Sequence, residues 1–374
     1  MRITSVRAWV LEARPEAGVV FGIGKFDTYS CVLVEVLSDD GTAGYGEAIA
    51  RRGPQMTKAA VESLLADVLI GEDPYDIEGL WVKMLDRLRR WGHSSGVVME
   101  AISGADIALW DLVGKHEGKP VWQLLLGAGR SSIPVYASSV YIADQDVMIS
   151  QAKEQIQAGF EALKIKIGRS ADPEGMKADV EAVAGIREAL GADVDLMVDA
   201  NGAYDGATAV RICRALEPLD LAFFEEPLPP DDMRGYERLH SMTAIPLARG
   251  ETDFSLFGFN ELLTRRLIDY VQPDIARCGG ITGARHVYTL AFANNIALAP
   301  HTGFSGGLSQ LAAVHVSAAA LGLWRLEYMF IDNPLRELFV QPFPPALNGA
   351  LSPPSGPGLG MDLDMDTVER FTVA

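Results

Sequence analysis

The sequence predicts a parallel (β/α) barrel preceded by a smaller α+β domain, and the spacing of its polar residues is the first reason. Six ionisable residues each stand at the end of a short apolar run, and successive members are 26, 26, 23, 27 and 26 residues apart. This distance matches one strand plus one helix, and a (β/α) barrel brings the C-terminal ends of all its strands to one face. The six residues are Asp199, Glu225, Glu251, Asp274, His301 and Glu327.

The second reason is that short apolar runs alternate with helical periodicity from residue 127 onward, which is typical of parallel α/β folds. An open doubly wound sheet is the alternative, and such sheets normally carry a glycine-rich nucleotide loop. Neither Gly22-Ile23-Gly24 nor Gly114 to Lys119 completes such a motif, so the barrel is favoured. The predicted strands are Val135 to Ser138, Ala162 to Ile167, Asp195 to Asp199, Ala222 to Glu225, Pro246 to Ala248, Tyr270 to Gln272, Ala297 to Ala299 and Trp324 to Leu326.

Residues 1–126 predict the α+β domain. Alternating apolar residues from Arg2 to Val10 and from Tyr29 to Leu37, then a turn at Asp39-Asp40-Gly41 leading to Ala43 to Glu47, indicate a three-stranded antiparallel meander. Helical spacing follows in three segments. The predicted helices are Pro54 to Leu69, Asp76 to Arg90, and Val98 to Val113, the last ended by Gly114.

The barrel is expected to span residues 127–335, and residues 336–374 are expected to pack back on the first domain. This last segment is rich in proline and glycine and ends in the acidic stretch Asp362 to Asp366. A segment of this composition covers another domain rather than building a core of its own.

Composition limits the class of protein. The chain has 374 residues, 48% hydrophobic and 22% charged, which is ordinary for a folded protein with one large and one smaller domain. Its formal net charge of −18 disfavours nucleic acid and anionic membranes as partners. Three scattered cysteines without a CxxC pair argue against disulfides and against a zinc site. Because Met1 to Glu16 lacks an apolar core, we expect no signal peptide and a cytoplasmic location.

Lys164 and Lys166 are one residue apart on a predicted strand, so their side chains share a face. In a barrel strand that face is the interior. A buried ammonium group there needs anionic partners or a lowered pKa, and a lysine with a lowered pKa can act as a general base. An isolated pair of this kind is more often a solvated strand face.

Three carboxylates, Asp199, Glu225 and Glu251, end consecutive predicted strands at nearly equal spacing. Each alone is more often a turn residue or a helix cap. Together they form a set of hard oxygen ligands that leaves positions for water and substrate, which suits Mg²⁺.

Asp274 and His301 end the next two predicted strands. On neighbouring strands, Asp274 can accept a hydrogen bond from one nitrogen of His301 and raise the basicity of the other. Glu327 completes the ring of polar residues. Of the five other histidines, which we expect to be structural or exposed, only His93 is a candidate for ligand contact.

These residues together resemble the mandelate racemase subgroup of the enolase superfamily, over nearly the full chain. The matching features also include Gly44 to Glu47, the Ala105 to Gly114 helix with Trp110-Asp111, and Pro357 to Gly360. The resemblance implies a capping domain over a modified (β/α)7β barrel, a homo-oligomer, and one Mg²⁺ per subunit held by Asp199, Glu225 and Glu251. Glu225 rather than Glu226 is the implied ligand, and strand alternation would point Glu226 away from the lumen.

The resemblance also implies roles in abstracting the proton alpha to a carboxylate. Lys166 or His301 would act as the base. Mg²⁺, Lys164 and a protonated Glu327 would stabilise the charge at the carboxylate oxygens. Asn201 matches the family position that contacts the alpha substituent.

Two catalytic outcomes follow from the same intermediate, and a protein without catalytic activity is a separate possibility. Dehydration of a sugar acid (an aldonate or aldarate) to a 2-keto-3-deoxy acid is our expectation, partly from its frequency in the family. The alternatives are racemisation or epimerisation by two bases, and a non-catalytic sugar-acid binding protein.

Polarity in the capping loops also points to a sugar acid. Lys25, Tyr29, Arg51 and the neighbouring Asp27 and Arg52 are expected to bind hydroxyls or a distal carboxylate. Val19, Val20 and Phe21 in the same loop would suit a less polar substrate, and the sequence does not resolve that conflict.

Overall fold

The N-terminal part of the chain forms an antiparallel sheet backed by helices, as predicted. The computed structural model describes residues 1–15 and 18–373. Its first strands are β1 (Ile3–Ala13), β2 (Val19–Phe21), β3 (Gly24–Phe26), β4 (Tyr29–Ser38) and β5 (Ala43–Ile49). β1, β4 and β5 pair antiparallel in the order of the predicted meander. The short hairpin of β2 and β3, with the two-residue loop Gly22-Ile23, was not predicted.

The helices of this part pack on the sheet through small residues. They are α1 (Pro54–Ala60), a π-helical turn (Val61–Leu65), α2 (Ala66–Leu69), α3 (Ile77–Arg89), α4 (Val97–Glu117) and α5 (Val121–Leu124). A Cβ atom at Gly46 would lie 2.1 Å from the carbonyl oxygen of Gly104, so only glycine lets β5 approach α4 this closely.

The prediction that Gly114 ends the third helix was wrong. Helix α4 continues to Glu117, and Gly118 ends it in the left-handed conformation with φ 64°. Gly114 serves packing instead, since a Cβ there would lie 2.7 Å from the Cα of Gly358 in the C-terminal segment.

Eight parallel strands and seven intervening helices form the predicted (β/α)7β barrel. The strands are β6 (Ile133–Val140), β7 (Ala162–Lys166), β8 (Asp195–Asp199), β9 (Leu221–Glu225), β10 (Leu247–Arg249), β11 (Tyr270–Val271), β12 (Ala297–Leu298) and β13 (Leu326–Tyr328). The helices are α6 (Gln145–Gln157), α7 (Pro173–Leu190), α8 (Gly206–Leu216), α9 (Met233–His240), α10 (Leu256–Thr264), α11 (Gly280–Ala293) and α12 (Gly307–Ala319).

From β6 to β12 each barrel strand pairs with the next one in sequence, and β13 pairs with β6. The barrel closes where the Trp324 amide donates to the Leu298 carbonyl at 2.8 Å. The last strand was predicted two residues too early. Leu323 and Trp324 instead make the closing contact with β12. Trp324 also packs against aromatic rings such as that of Tyr270, with the ring centroids 5.1 Å apart. The strand that pairs with β6 begins at Leu326.

The C-terminal segment returns to the first sheet. It contains a 3₁₀ turn (Pro334–Arg336), β14 (Ala350–Leu351), α13 (Met365–Phe371) and β15 (Thr372–Val373). β15 pairs with β1, which makes a four-stranded sheet in the order β15-β1-β4-β5. No helix among the described residues is long and apolar enough to cross a membrane.

Buried acids of the N-terminal domain fix its position on the barrel. Glu47 accepts a hydrogen bond from the Ser309 amide at 3.0 Å, in the first turn of α12. Asp106 accepts one from the Thr282 amide at 2.9 Å, in the first turn of α11. Burial raises the pKa of each carboxyl to about 7.

We predict that Asp106→Asn makes stability less dependent on pH. Because the folded chain keeps the Asp106 proton up to about pH 7, the wild-type free energy of unfolding falls as pH rises above the ordinary pKa of the carboxyl. The variant should lose that slope, on the order of 3 kcal/mol between pH 4 and 7. Urea titrations at several pH values measure it.

Asp205→Asn is the matched control. Asp205 caps α8, and hydrogen bonds from Thr208 lower its pKa, so its own effect on the slope lies below pH 4. An unchanged slope in Asp106→Asn would contradict the assignment.

Candidate active site

The six ionisable residues predicted from their spacing lie at the C-terminal end of the barrel. Asp199 and Glu225 are the last residues of β8 and β9, and Glu251 follows β10. Asp274 and His301 follow β11 and β12, and their backbones form a parallel bridge. Glu327 lies inside β13, not after it. None of the six side chains is more than 3% exposed.

Two buried lysines neutralise much of this acidic cluster. Lys164 Nζ lies 2.6 Å from Glu225 Oε2 and 2.8 Å from Glu327 Oε1. Lys166 forms an ion pair with Asp199. Both lysines point into the barrel, as their spacing predicted.

The pKa of Lys164 follows from these contacts. Burial alone would lower it, but Glu225 and Glu327 outweigh burial and hold the pKa well above its ordinary value. Of the two states expected for a buried lysine, Lys164 therefore adopts the paired ammonium.

The three carboxylates on β8, β9 and after β10 have the chemistry of a cation site. The Asn201 amide links two of them, at 3.3 Å from Asp199 Oδ2 and 3.2 Å from Glu251 Oε1. Glu225 Oε1 is buried with no hydrogen-bond partner among the described residues. Burial and the nearby Asp199 raise the pKa of Glu225 to about 7. An unpartnered oxygen among like charges fits a divalent cation.

A second donor set overlaps with this one. Glu225, Glu251 and His301 each offer one atom, all within 4.8 Å of one another. His301 Nε2 contacts Glu251, while its Nδ1 lies 2.7 Å from Asp274 Oδ2. The predicted pairing of Asp274 with His301 is therefore present. Although burial lowers the pKa of His301, Glu251 and Glu327 raise it to about 10.

The cluster opens into a narrow cavity beneath the β2–β3 hairpin. Its polar lining comes mainly from the barrel and its apolar lining mainly from the hairpin and the loop after β12. Arg51 reaches in from the N-terminal domain, with its Nη2 3.1 Å from Glu251 Oε2. The lining residues are Phe21, Ile23, Phe26, Arg51, Lys166, Asn201, Glu251, His301, Gly303, Phe304, Glu327 and Met329.

Comparison with known proteins agrees with this geometry. Residues 5–127 match the N-terminal domain of the mandelate racemase and muconate lactonizing enzyme family, and residues 147–367 match the enolase C-terminal domain-like family. The chain belongs to the mandelate racemase and muconate lactonizing enzyme family of the enolase superfamily.

Proteins that are similar to this chain have several different activities. It is 34% identical to a D-galactarolactone cycloisomerase of Agrobacterium fabrum, over 99% of both chains. It is 33% identical to an arabinonate dehydratase of Saccharolobus solfataricus, over 91% of this chain and 90% of the relative. The structure of a Streptomyces coelicolor racemase with bound magnesium aligns with a TM-score of 0.91 at 31% identity, covering 99% of this chain and 100% of that one.

The contacts of Glu327 favour a charged carboxylate over the protonated form that the resemblance implied. Burial would raise the pKa of Glu327, but Lys164 and His301 lower it below its ordinary value. The Thr302 amide also donates to Glu327 Oε2 at 2.9 Å, which favours the charged carboxylate.

Glu226 does not have the extended backbone conformation of a regular strand residue. It follows the last residue of β9 with a positive φ of 37°, so strand alternation does not apply to it. Its carboxylate accepts a hydrogen bond from the Thr252 hydroxyl. Burial and Glu251 raise its pKa well above the ordinary value.

The capping-loop predictions have mixed outcomes. Arg51 lines the cavity, but Lys25 and His93 are exposed and do not. Tyr29 is only 2% exposed and packs behind the lining, 5.5 Å from the Phe304 ring. The structure therefore does not support substrate contact by Lys25, Tyr29 or His93.

Sequence reasoning missed other residues of the site. Gln272 Nε2 donates a hydrogen bond to Glu225 Oε2 at 2.6 Å. The position of Gln272 at the end of a short apolar run is the sequence feature that could have identified it as a site residue. Phe304 and Met329 line the cavity, but their sequence context carried no such signal.

We predict that Lys164→Met lowers the free energy of unfolding by about 3 kcal/mol in chelator-treated protein, since removing one partner of a buried ion pair leaves uncompensated charge. Denaturant titration measures it. Lys177→Met is the matched control, because Lys177 is 73% exposed in its pair with Glu181 and should change stability by less than about 0.5 kcal/mol. Equal effects of the two substitutions would contradict the role given to Lys164.

Proposed function

We propose that this protein removes the proton alpha to the carboxylate of a sugar acid and then eliminates the group on the beta carbon. The observation that carries this proposal is one cavity lined by both Lys166 and His301, next to the carboxylates of β8, β9 and the β10 loop. β7 and β12 are separated by two strands in one direction around the barrel and four in the other. Lys166 and His301 therefore approach a substrate from different sides.

Asp199, Glu225 and Glu251 would hold one Mg²⁺ per subunit. Bound there, Mg²⁺ would polarise the substrate carboxylate and make the alpha proton more acidic. Three oxygen donors suit magnesium better than a set that includes His301. The unpartnered Glu225 Oε1 and the magnesium of the structurally similar racemase support this ligand set.

Lys166 or His301 would take the alpha proton. Asp274 contacts His301 Nδ1. Nε2, which contacts Glu251, would become the nitrogen that transfers the proton once Glu251 binds Mg²⁺. Lys164 would stabilise negative charge on the carboxylate oxygen as it develops. Glu327, a carboxylate within 2.8 Å of Lys164 and 3.5 Å of His301, would position these two groups rather than donate a proton.

Loss of a beta hydroxyl, protonated by the second base, makes the reaction a dehydration and gives a 2-keto-3-deoxy acid. Similarity to the arabinonate dehydratase supports this outcome. The second candidate is ring opening, in which a ring oxygen leaves in place of water. The apolar part of the cavity lining favours this candidate, as does similarity to the D-galactarolactone cycloisomerase.

We predict that the Mg²⁺-loaded protein converts a member of a library of aldonic, aldaric and cyclic sugar acids to a 2-keto acid. Proton NMR in deuterated water follows the alpha position. Exchange without a keto product would indicate racemisation or epimerisation. Binding without exchange would indicate a non-catalytic sugar-acid binding protein and contradict the proposal.

We predict that Lys166→Met and His301→Asn each lower kcat at least about 100-fold, the contribution of a positioned acid or base. Mg²⁺ binding, measured by calorimetry, should persist in both variants, because Lys166 and His301 contact the proposed ligands Asp199 and Glu251 without being ligands themselves. Glu251→Gln is the contrasting variant and should weaken Mg²⁺ binding. If both base variants keep full activity, the assignment of the bases is wrong.

A further inference from the structure

One buried carboxylate of the barrel lies outside the candidate active site and has no part in the proposed chemistry. Asp179 stands in the second turn of α7, the helix that follows β7, and is only 1% exposed. Its Oδ1 lies 3.4 Å from Nε of the partly buried Arg169. A carboxylate buried in this way needs hydrogen-bond donors, and the donors show which parts of the chain Asp179 holds together.

Three hydrogen bonds meet at a single oxygen of Asp179. Oδ2 accepts from the amide of Gly168 at 3.0 Å and from the amide of Arg169 at 3.1 Å. The Tyr204 hydroxyl donates to the same oxygen at 2.7 Å. Burial and Asp179 raise the pKa of Tyr204, so this hydroxyl keeps its proton and remains a donor. Asp179 therefore joins the loop after β7 to the loop after β8.

The loop after β7 begins directly beyond a proposed base. Lys166 is the last residue of β7, and Gly168 comes two residues later. The Ile167 amide donates to the Asp199 carbonyl at 2.9 Å, which continues the pairing of β7 with β8. Gly168 then turns the chain with a φ of 97°, a conformation that favours glycine. The hydrogen bonds to Asp179 thus anchor the chain at the first turn after Lys166.

The loop after β8 begins at the residue that pairs with the same lysine. Asp199 ends β8, lies in register with Lys166 and forms an ion pair with it. Asn201, two residues later, contacts Asp199 Oδ2 through its side-chain amide at 3.3 Å. Tyr204 follows in the same loop and is only 1% exposed. Asp179 is therefore connected, through short pieces of chain, to both members of the Lys166–Asp199 pair.

The two loops meet backbone to backbone. A Cβ atom on Gly168 would lie 2.9 Å from the Cβ of Ala203 and 3.0 Å from the carbonyl oxygen of Ala200. A Cβ atom on Gly22, in the β2–β3 hairpin, would lie 2.5 Å from the same carbonyl oxygen. Backbones that meet this closely leave no room for side chains between them, so the junction depends on hydrogen bonds such as those of Asp179.

Proton transfer depends strongly on the position of the base. A general base acts within about 2.6–3.2 Å of the atom that gives up the proton, and a displacement of about 1 Å can lower the rate about 100-fold. Lysine is sensitive to this requirement, because a flexible four-carbon stem separates its nitrogen from the backbone. An anchor close to the backbone of a catalytic lysine removes one source of displacement.

We propose that Asp179, together with Tyr204, is a positioning residue that holds the end of β7 so that Lys166 Nζ reaches the alpha carbon of the substrate. Neither Asp179 nor Tyr204 lines the cavity, so both act through Lys166 and touch no reacting atom. This inference rests on the proposed function, because Lys166 is one of its two bases.

Crystal structures of the Mg²⁺-loaded full chain test the placement without any substrate. Asp179→Ala removes the shared acceptor. We expect Lys166 Nζ to move by about 1 Å or more, whereas Lys164, held by its own ion pairs, stays in place. Tyr204→Phe removes one hydrogen bond and keeps the ring, so it should give a smaller shift and serves as the test if Asp179→Ala does not fold. An unmoved Lys166 Nζ would overturn the inference.

Asp205→Asn is the matched control for both measurements. Asp205 lies next to Tyr204 and accepts hydrogen bonds from the amides of Ala207 and Thr208. It therefore supplies the same kind of bond at the far end of the same loop, where α8 begins. Asp205→Asn should leave Lys166 Nζ in place and kcat unchanged.

Kinetics separate a positioning role from a merely structural one. For the library acid that the wild type converts, Asp179→Ala should lower kcat at least about tenfold and change KM less than about twofold. In a Lys166→Met background the same substitution should lower the residual kcat less than about twofold, because the residue that it positions is already absent. Equal losses of kcat in the two backgrounds would overturn the inference.

Failure of the proposed function gives a different result. If no acid of the library is converted or exchanges its alpha proton, the proposed function fails, and the position of Lys166 Nζ in the crystal structures still decides the inference. If the wild type is active and Lys166 Nζ stays in place without Asp179, the inference alone fails.

Discussion

Buried negative charge at one end of the barrel is the constraint on which the site depends. Asp199, Glu225 and Glu251 lie at the ends of adjacent strands and are at least 97% buried, and carboxylates in that position repel one another strongly. Lys164 and Lys166 neutralise part of the charge. A divalent cation would neutralise the negative charge that the lysines leave unpaired. The close placement of the carboxylates costs folding free energy, and the same placement favours binding of a metal ion and, through it, of an anionic substrate.

The N-terminal domain supplies contacts that the barrel alone lacks. Its segment from Glu47 to Arg51 reaches two parts of the site, since Glu47 holds the start of α12 and Arg51 contacts Glu251. The β2–β3 hairpin of the same domain covers the cavity with Phe21. The barrel therefore supplies most of the polar groups of the cavity, and the capping domain supplies Arg51 and the hairpin side chains that cover it.

Much of this arrangement was predictable, because barrel topology converts sequence spacing into position. Regular intervals placed Asp199 and Glu225 at strand ends, and the period of two put Lys164 and Lys166 on one face. Features that depend on tertiary contacts were not predictable. Helix α4 runs past Gly114, which allows close packing of the C-terminal segment. Lys164 lies beside Glu327 and lowers its pKa.

The most direct measurement is a crystal structure of the protein soaked with Mg²⁺ or Mn²⁺, the latter located by anomalous scattering. We expect one cation bound by an oxygen from each of Asp199, Glu225 and Glu251, at about 2.0–2.1 Å for Mg²⁺. His301 should then be free of Glu251 and face Lys166 across the cavity. A cation held by His301 in place of Asp199, or none at this end of the barrel, would contradict the proposed magnesium site.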